Sequence, residues 1–325
     1  MRILQKVMVA ALIAAGIVIA AAPVSSQNYP NRPVRLVVPT LPGSGSDAVA
    51  RLISQPLAER LGQQVVVDNR AGAANMIAGE IVAKSAPDGY TLLMATTTSA
   101  TVPAMYTKVP YDLLRDFAPI TQMTSQPNVL VVHPSLPATT VRELIALAKA
   151  KPGEITFASA GSGTIQHVMM EAFLMMAGAR MLHVPYKSPA PAFIDVVAGR
   201  VWVMLPSVLG AAPHVRADRL RPLGVTSAKR AAIMPDLPTL AEAGVPGYEA
   251  AQWWGLVAPA GTSREIIARL NKDVVSVLHT QDIYARLAKD GAEVVAGSPD
   301  EFGILLRTEV AKWAKVVKSA GIKAD

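Results

Sequence analysis

From Val34 onward, short apolar runs alternate with helix-length stretches that carry their apolar residues on one side. Val34-Arg35-Leu36-Val37-Val38 reads as a buried strand. Pro39 to Ser46 is a Pro/Gly/Ser loop, Asp47 is placed to cap the following helix, and Gly62 ends it. Pro56 lies inside that helix and is expected to kink or split it. Gln64 to Val67 is the next strand, Asn75 to about Lys84 the next helix, Ala86-Pro87-Asp88-Gly89 a turn, and Tyr90 to Ala95 a third strand. This alternation implies an α/β domain built on a parallel sheet.

Pro119 to His133 is extended and apolar, as a segment crossing between domains would be. Thr140-Val141-Arg142-Glu143 is a capping box opening a helix that stops at Lys151-Pro152-Gly153. The first plan then repeats: strand Ile155 to Ser159, loop Ala160 to Thr164, helix Ile165 to Ala177, strand Met181 to Pro185, helix Pro191 to Ala198, strand Val201 to Leu205. Trp253 to Pro259 is a second extended segment, suited to a return crossing. Two C-terminal helices follow. One starts near Thr262 with Ile266, Leu270, Val274 and Val277 on one face, and the other opens at Ser298-Pro299-Asp300-Glu301 and carries Trp313 as a core residue. A chain that crosses twice between two α/β lobes has its cleft between them, and the loops after the strands line that crevice.

Composition narrows the classes. Residues 1–26 show a basic start (Arg2, Lys6), an apolar run from Val7 to Ala22 and a small-residue end at Pro23-Val24-Ser25-Ser26. This is the pattern of a cleaved secretory signal peptide, with an apolar run shorter than the roughly 18 residues of a spanning helix. It predicts a periplasmic protein, beyond reach of NAD and ATP pools. The chain has no cysteine, which excludes disulfides, a lipid-modified cysteine and thiolate metal sites. Apolar residues make up 51% and aromatics 5%, so the core is aliphatic. The net charge of +7 is scattered, with no basic run interleaved with aromatics, so no nucleic acid is expected as partner. A mild positive field steers anions.

The candidate chemistry sits in the two Gly/Ser loops, Pro39 to Asp47 and Ser159 to Thr164. A helix N-terminus presents unpaired N–H groups and about half a positive charge, and so binds a carboxylate without Lys or Arg. Two such loops facing each other would hold the two ends of a dicarboxylate. Gly43-Ser44-Gly45-Ser46-Asp47-Ala48 also fits a dinucleotide fingerprint, with Asp68 at the ribose position, and gives the alternative of an NAD-dependent oxidoreductase. The signal peptide, Pro39 and Pro42 between strand and glycines, and Asp47 beside a pyrophosphate all oppose it. Phe157 stands where a nucleophile elbow needs glycine. The five histidines show no paired spacing, although His167 and Glu171 lie four apart on one helix. No catalytic residue, metal site or cofactor is expected, and the protein is not read as an enzyme.

The ordered blocks along nearly the whole mature chain resemble one family. They are Tyr29-Pro30-Asn31-Arg32-Pro33-Val34, Pro39 to Asp47, Val67 to Ala73, Ala86 to Leu92, Tyr111-Asp112 with Asp116 to Ile120, Val184-Pro185-Tyr186-Lys187, and Leu237-Pro238-Thr239 with Glu242-Ala243-Gly244. In these the chain is similar to the substrate-binding proteins of tripartite tricarboxylate transporters, the Bug family. The resemblance implies a type II periplasmic-binding-protein fold. Its two α/β lobes would be residues 27–126 with 250–325 and residues 127–249, joined by two crossovers and closing on a carboxylate. It implies monomeric delivery to a large and a small membrane subunit. A sensor role toward a signalling partner is the other use of such a closure. Position by position, it implies ligand contacts at Thr40, Leu41, Pro42, Gly43, Thr96 and Thr97 in lobe 1. In lobe 2 it implies Ser159, Gly161, Gly163, Thr164, His167, Tyr186, Pro206 and Ser207. Pro206 stands where the family carries a cleft-side Asp, which argues against an amino-acid ligand, and Trp202 is either packing or a cleft wall.

Overall fold

The alternation folds into two sheets. The computed structural model describes residues 29–289 and 291–322, so the signal-peptide reading of residues 1–26 lies outside the described residues. In chain order the elements are β1 (Val34–Val38), α1 (Gly45–Leu61), β2 (Val65–Asn69), α2 (Met76–Ala83), β3 (Thr91–Thr96), α3 (Thr97–Met105), β4 (Phe117–Pro127), β5 (Val129–Val132), α4 (Val141–Ala150), β6 (Thr156–Ser159) and α5 (Ile165–Ala177). They continue with β7 (Leu182–Pro185), α6 (Pro189–Val197), β8 (Val203–Met204), α7 (Val208–Arg216), β9 (Arg221–Val225), β10 (Ala251–Pro259), α8 (Arg264–Leu278), α9 (Gln281–Lys289), β11 (Glu293–Val294) and α10 (Pro299–Ala320).

The first sheet runs β11-β4-β10-β3-β1-β2 and the second β7-β6-β8-β5-β9. The chain leaves the first sheet at Pro127, enters the second at Val129, and returns after β9 through β10. The sheets are mixed, not parallel throughout as the alternation implied. β1 is parallel to β2 and β3, and β6 to β7 and β8, but β10 runs antiparallel to β3 and β4, and β5 antiparallel to β8 and β9. The helical crossovers make parallel neighbours; the crossing strands enter from the other half and so run against them.

Local signals explain most elements. α1 is capped by Ser44 rather than Asp47, and runs unbroken through Pro56. Its buried face of Val49, Ile53, Leu57 and Leu61 outweighs the roughly 3 kcal/mol that an interior proline costs. α10 has the expected capping box, Ser298 with Glu301. Its Trp313 is fully buried and donates from Nε1 to Glu309 Oε2 at 2.7 Å, so truncation to alanine would cost about 3–5 kcal/mol. The same Glu309 oxygen accepts from Trp253 Nε1 at 3.2 Å, tying α10 to the return strand β10. One continuous apolar cluster runs from Val37 and Tyr111 through Trp313 to Phe157 and Met169, so the two halves share core. α10 packs on α3, β4 and α5, which brings the head of α5 against the first half. Trp202 is packing: it lies against this core, edge-on to His133 with ring centroids 6.2 Å apart.

Candidate functional site

β1 delivers the chain to a loop that orders itself from within. Buried Asp47, in the first turn of α1, accepts from the Gly43 N–H at 2.8 Å, Asn69 Nδ2 at 2.9 Å and Arg51 Nε at 3.0 Å. Burial pushes its pKa up, but these donors outweigh burial and hold it below the ordinary carboxylate value. With Asp47 anchoring the loop, three hydroxyls gather above the helix: Thr40 Oγ1 lies 2.5 Å from Ser44 Oγ and 2.6 Å from Ser46 Oγ. The amides of Gly45 and Ser46 precede the first intrahelical bond and so have no partner within α1.

β3 ends beside this loop, and its Thr96 caps α3, a helix the sequence reading left out. The run Thr96-Thr97-Thr98-Ser99 has no apolar periodicity, and burial of Ala100, Val102 and Met105 against α10 makes it helical. The Thr96 N–H donates to Ser99 Oγ at 3.2 Å, and its own Oγ1 accepts from Asn75 Nδ2 at 3.0 Å. Asn75 is the last of three successive residues at positive φ (Ala73 45°, Ala74 49°, Asn75 75°). None is glycine, so the turn before α2 is held under strain beside the site.

These pieces enclose a cavity of about 200 Å³. Thr40, Ser44, Gly45 and Ser46 come from the head of α1, Thr96, Thr97 and Thr98 from α3, and Asn75 from the strained turn. Gln252, Trp253 and Trp254 come from β10, which pairs Trp254 with Thr96, and Ile165 at the head of α5 comes from the second half. Among the described residues, no side chain in this lining is ionisable. Two helix N-termini, hydroxyls and the amides of Asn75 and Gln252 therefore give it a positive potential without a cation, the setting for an anion. A larger cavity of about 670 Å³ adjoins it, sharing Ser44, Gly45, Gln252 and Trp254, and reaching Gly43, Gln166 and Ser207.

Of the residues expected at the site, Thr40, Thr96 and Thr97 meet in the small cavity, and Gly43 and Ser207 line the large one. Thr97 Oγ1 is occupied by the Trp253 N–H at 2.8 Å, and Ser207 Oγ caps α7 by accepting from the Gly210 N–H at 3.2 Å. Leu41 and Pro42 are exposed and line neither cavity. Ser159, Gly161, Gly163, Thr164, His167, Tyr186 and Pro206 also line neither. They form a network of their own. Fully buried Ser159 donates from Oγ to the Gly161 carbonyl at 3.0 Å and lies 2.7 Å from His183 Nε2. The Gly163 N–H donates to His167 Nδ1 at 3.1 Å, and Thr164 Oγ1 donates to the Gly161 carbonyl at 2.7 Å. Gly161 sits at φ 138°, where a Cβ would come 3.2 Å from the Tyr186 carbonyl oxygen, so glycine is required. The Tyr186 hydroxyl donates to Asp195 at 2.6 Å, and the buried Pro206 accepts the Val129 N–H through its carbonyl at 2.9 Å.

The rings of His167 and His183 stack with centroids 3.7 Å apart, and burial together with His167 pushes His183 down to about 4. His167 Nε2 meets Glu171 at 3.7 Å, and among the described residues no three His, Asp or Glu side chains are grouped to hold a metal. Asp68, the acid of the dinucleotide alternative, is clamped by Arg35 and Arg70. Ser44, Ser46, Asn75, Thr98, Ile165 and the β10 residues line the small cavity although the sequence did not single them out as ligand contacts. The hydroxyl run and the Gly/Ser loop held the only local signal for them, because β10 reaches the site through sheet pairing alone.

Comparison with known proteins identifies the family and the fold. The model of the tripartite tricarboxylate transporter family receptor matches residues 49–322. Protein BugT of Bordetella pertussis is 37% identical over 305 residues, 93% of this chain and 94% of that protein. Rpa4515 of R. palustris, solved with adipate, is 40% identical with a TM-score of 0.78, over 91% of this chain and 99% of that one. MatC of Rhodopseudomonas palustris, solved with bound malate, is 31% identical with a TM-score of 0.74, over 89% and 100%. The fold is that of periplasmic solute-binding proteins, and the chain belongs to the receptor family of tripartite tricarboxylate transporters, the Bug family.

Proposed function

We propose that this protein is a periplasmic receptor for a small carboxylate, which it holds by amides and hydroxyls at the heads of α1 and α3 as its two halves close. The observation that carries this reading is the cavity of about 200 Å³ where two helix N-termini converge with Thr40, Ser44, Ser46 and Asn75 and no ionisable side chain. A carboxylate there replaces its water shell with N–H and O–H donors already in place, so little is lost in ordering the site. Relatives solved with adipate and malate support the ligand class. The second half contributes Ile165 and Gln166 to the cavities, so closing it over the anion excludes water. The closed form would be presented to a large and a small membrane subunit, with release for transport and no covalent step.

The test is thermal denaturation of the mature chain against mono-, di- and hydroxycarboxylates, followed by calorimetric titration of those that respond. A ligand that binds only the folded state adds about 2.7 kcal/mol at a hundred times its Kd. A rise in Tm for at least one carboxylate, saturating at one per chain, is the expected result. No response across the panel would overturn the reading.

A further inference from the structure

We propose that Glu309 of α10 is a positioning residue for the anion cavity: through Trp253 it turns the hydroxyl of Thr97 toward the bound carboxylate, although it lines neither cavity itself. This rests on the carboxylate-receptor reading above. The Trp253 N–H donates to Thr97 Oγ1 at 2.8 Å, and both residues are buried and line the small cavity. A hydroxyl has one hydrogen to give and two lone pairs, so Thr97, accepting from β10, keeps its own hydrogen for an anion. The Trp253 side chain sets where that N–H lies. Its ring is edge-on to Phe302 of α10 with centroids 5.6 Å apart, and its Nε1 donates to Glu309 Oε2 at 3.2 Å. Two residues on, a Cβ at Gly255 would collide with the Phe302 ring, so β10 lies directly against α10. Glu309 is itself held on both oxygens. Oε2 takes the two indoles, Trp253 from β10 and Trp313 from its own helix at 2.7 Å, and Oε1 is paired with Lys312. The Lys312 ammonium lies 4.4 Å from the centre of the Trp313 ring and reaches the Glu249 carbonyl, two residues before β10, at 3.5 Å. It balances a charge that is costly to bury alone and fixes the carboxylate in the orientation that serves Trp253. α10 therefore grips the return segment at Glu249 and at Trp253, and Thr97 takes its place from the second.

The experiment is calorimetric titration of the mature chain with adipate, malate and the other acids of the panel above, after which the acid bound most tightly is titrated into variants. Glu309→Leu should weaken it at least tenfold. Glu309→Gln, whose amide oxygen still accepts from the indoles, should bring affinity back to within threefold of wild type. Trp313→Phe removes the shorter indole bond and leaves the Trp253 bond in place, so it should lower Tm and keep affinity within twofold. In a Thr97→Ala background Glu309→Leu should change affinity by less than twofold, because the hydroxyl it places is gone. Where Glu309→Leu does not fold, Glu309→Leu with Lys312→Met, which leaves neither charge unpaired, is read in the same way. Undiminished affinity in the leucine variant overturns the inference and leaves the receptor reading intact. So does an equal loss with and without the Thr97 hydroxyl, or a loss in Trp313→Phe as large as in Glu309→Leu, because Glu309 would then act through stability alone. If no acid of the panel binds the wild type, the receptor reading itself fails and the inference falls with it.

Discussion

The two strand-to-helix loops share a plan and differ in where their polar groups go. In the first, Asp47 satisfies the backbone from beneath, and Thr40, Ser44 and Ser46 are left to line a cavity. In the second, Ser159 is spent on His183, the Gly163 amide on His167 and Thr164 on the Gly161 carbonyl. Each loop spends one glycine amide on a side chain four residues on, Gly43 on Asp47 and Gly163 on His167, and they differ in that the hydroxyls of the first line a cavity while Ser159 and Thr164 of the second line neither. On the function proposed above, the first loop would hold the anion, and the second carries Ile165 and Gln166 to the lining of the cavities.

The largest effect should come from placing a negative charge in each loop at its helix cap. Asp is as good a cap as Ser, so Ser44→Asp keeps α1 while setting a carboxylate against the ligand's own. Like-charge juxtaposition costs several kcal/mol, so calorimetry should find carboxylate affinity reduced at least a hundredfold with Tm little changed. Thr164→Asp, at the matching cap of α5, should reduce affinity less than tenfold. Equal losses in the two variants would show that both loops grip the ligand and erase the distinction.

Next comes the anchor of the first loop. Asp47→Asn removes the charge that binds Gly43, Asn69 and Arg51, and should cost about 2 kcal/mol in urea unfolding, since hydrogen bonds to charged groups carry about 1.5–3 kcal/mol each. The folded pKa of Asp47 is depressed, so its contribution is full above the ordinary carboxylate pKa and lost as pH falls through the folded value. The difference between wild type and variant should therefore narrow in strong acid. A difference that is flat with pH would show that packing, and not the charge, orders this loop.

Much of this fold was legible because its signals are local. The Ser298 capping box, the Gly62 stop and the face of Ile266, Leu270, Val274 and Val277 each depend on residues within a few turns of one another. The lining of the small cavity was legible in part. Thr40, Thr96 and Thr97 lie beside strand ends, where crevices form, and the family resemblance marked them. Gln252 and Trp254 were not legible, because they reach the cavity through the pairing of β10 with β3, fixed by strand order across distant segments. The inward-turned bonds of the second loop were hidden for the same reason: His183 reaches Ser159 from the neighbouring strand β7, and glycine and serine in a loop do not record which partner they meet.

A smaller difference should appear on acidification. His183 is held neutral by burial and by His167, with its pKa near 4 against about 6.5 in the unfolded chain. The unfolded chain takes the proton first. The stability tied to the neutral ring is thus full above about pH 6.5 and lost progressively as pH falls toward 4. Hydrogen exchange at pH 5 should show residues 159–164 losing protection relative to pH 7.5, while residues 40–46 keep theirs. Loss of protection in the first loop over the same interval would mean that the two loops open as one unit.

The smallest effect concerns Leu41, at the tip of the first loop, where it is 70% exposed and lines neither cavity. Leu41→Ser should change stability by no more than about 0.5 kcal/mol, as for other surface substitutions, and leave the affinity for the best carboxylate within twofold. Each result has a separate meaning for the comparison of the loops. Unchanged affinity says that the first loop grips through its base alone, as a preformed cradle fixed by Asp47. A tenfold loss with unaltered Tm says that the tip folds over the apolar part of the ligand on closure, so that the loop is rigid at its base and adaptable at its end.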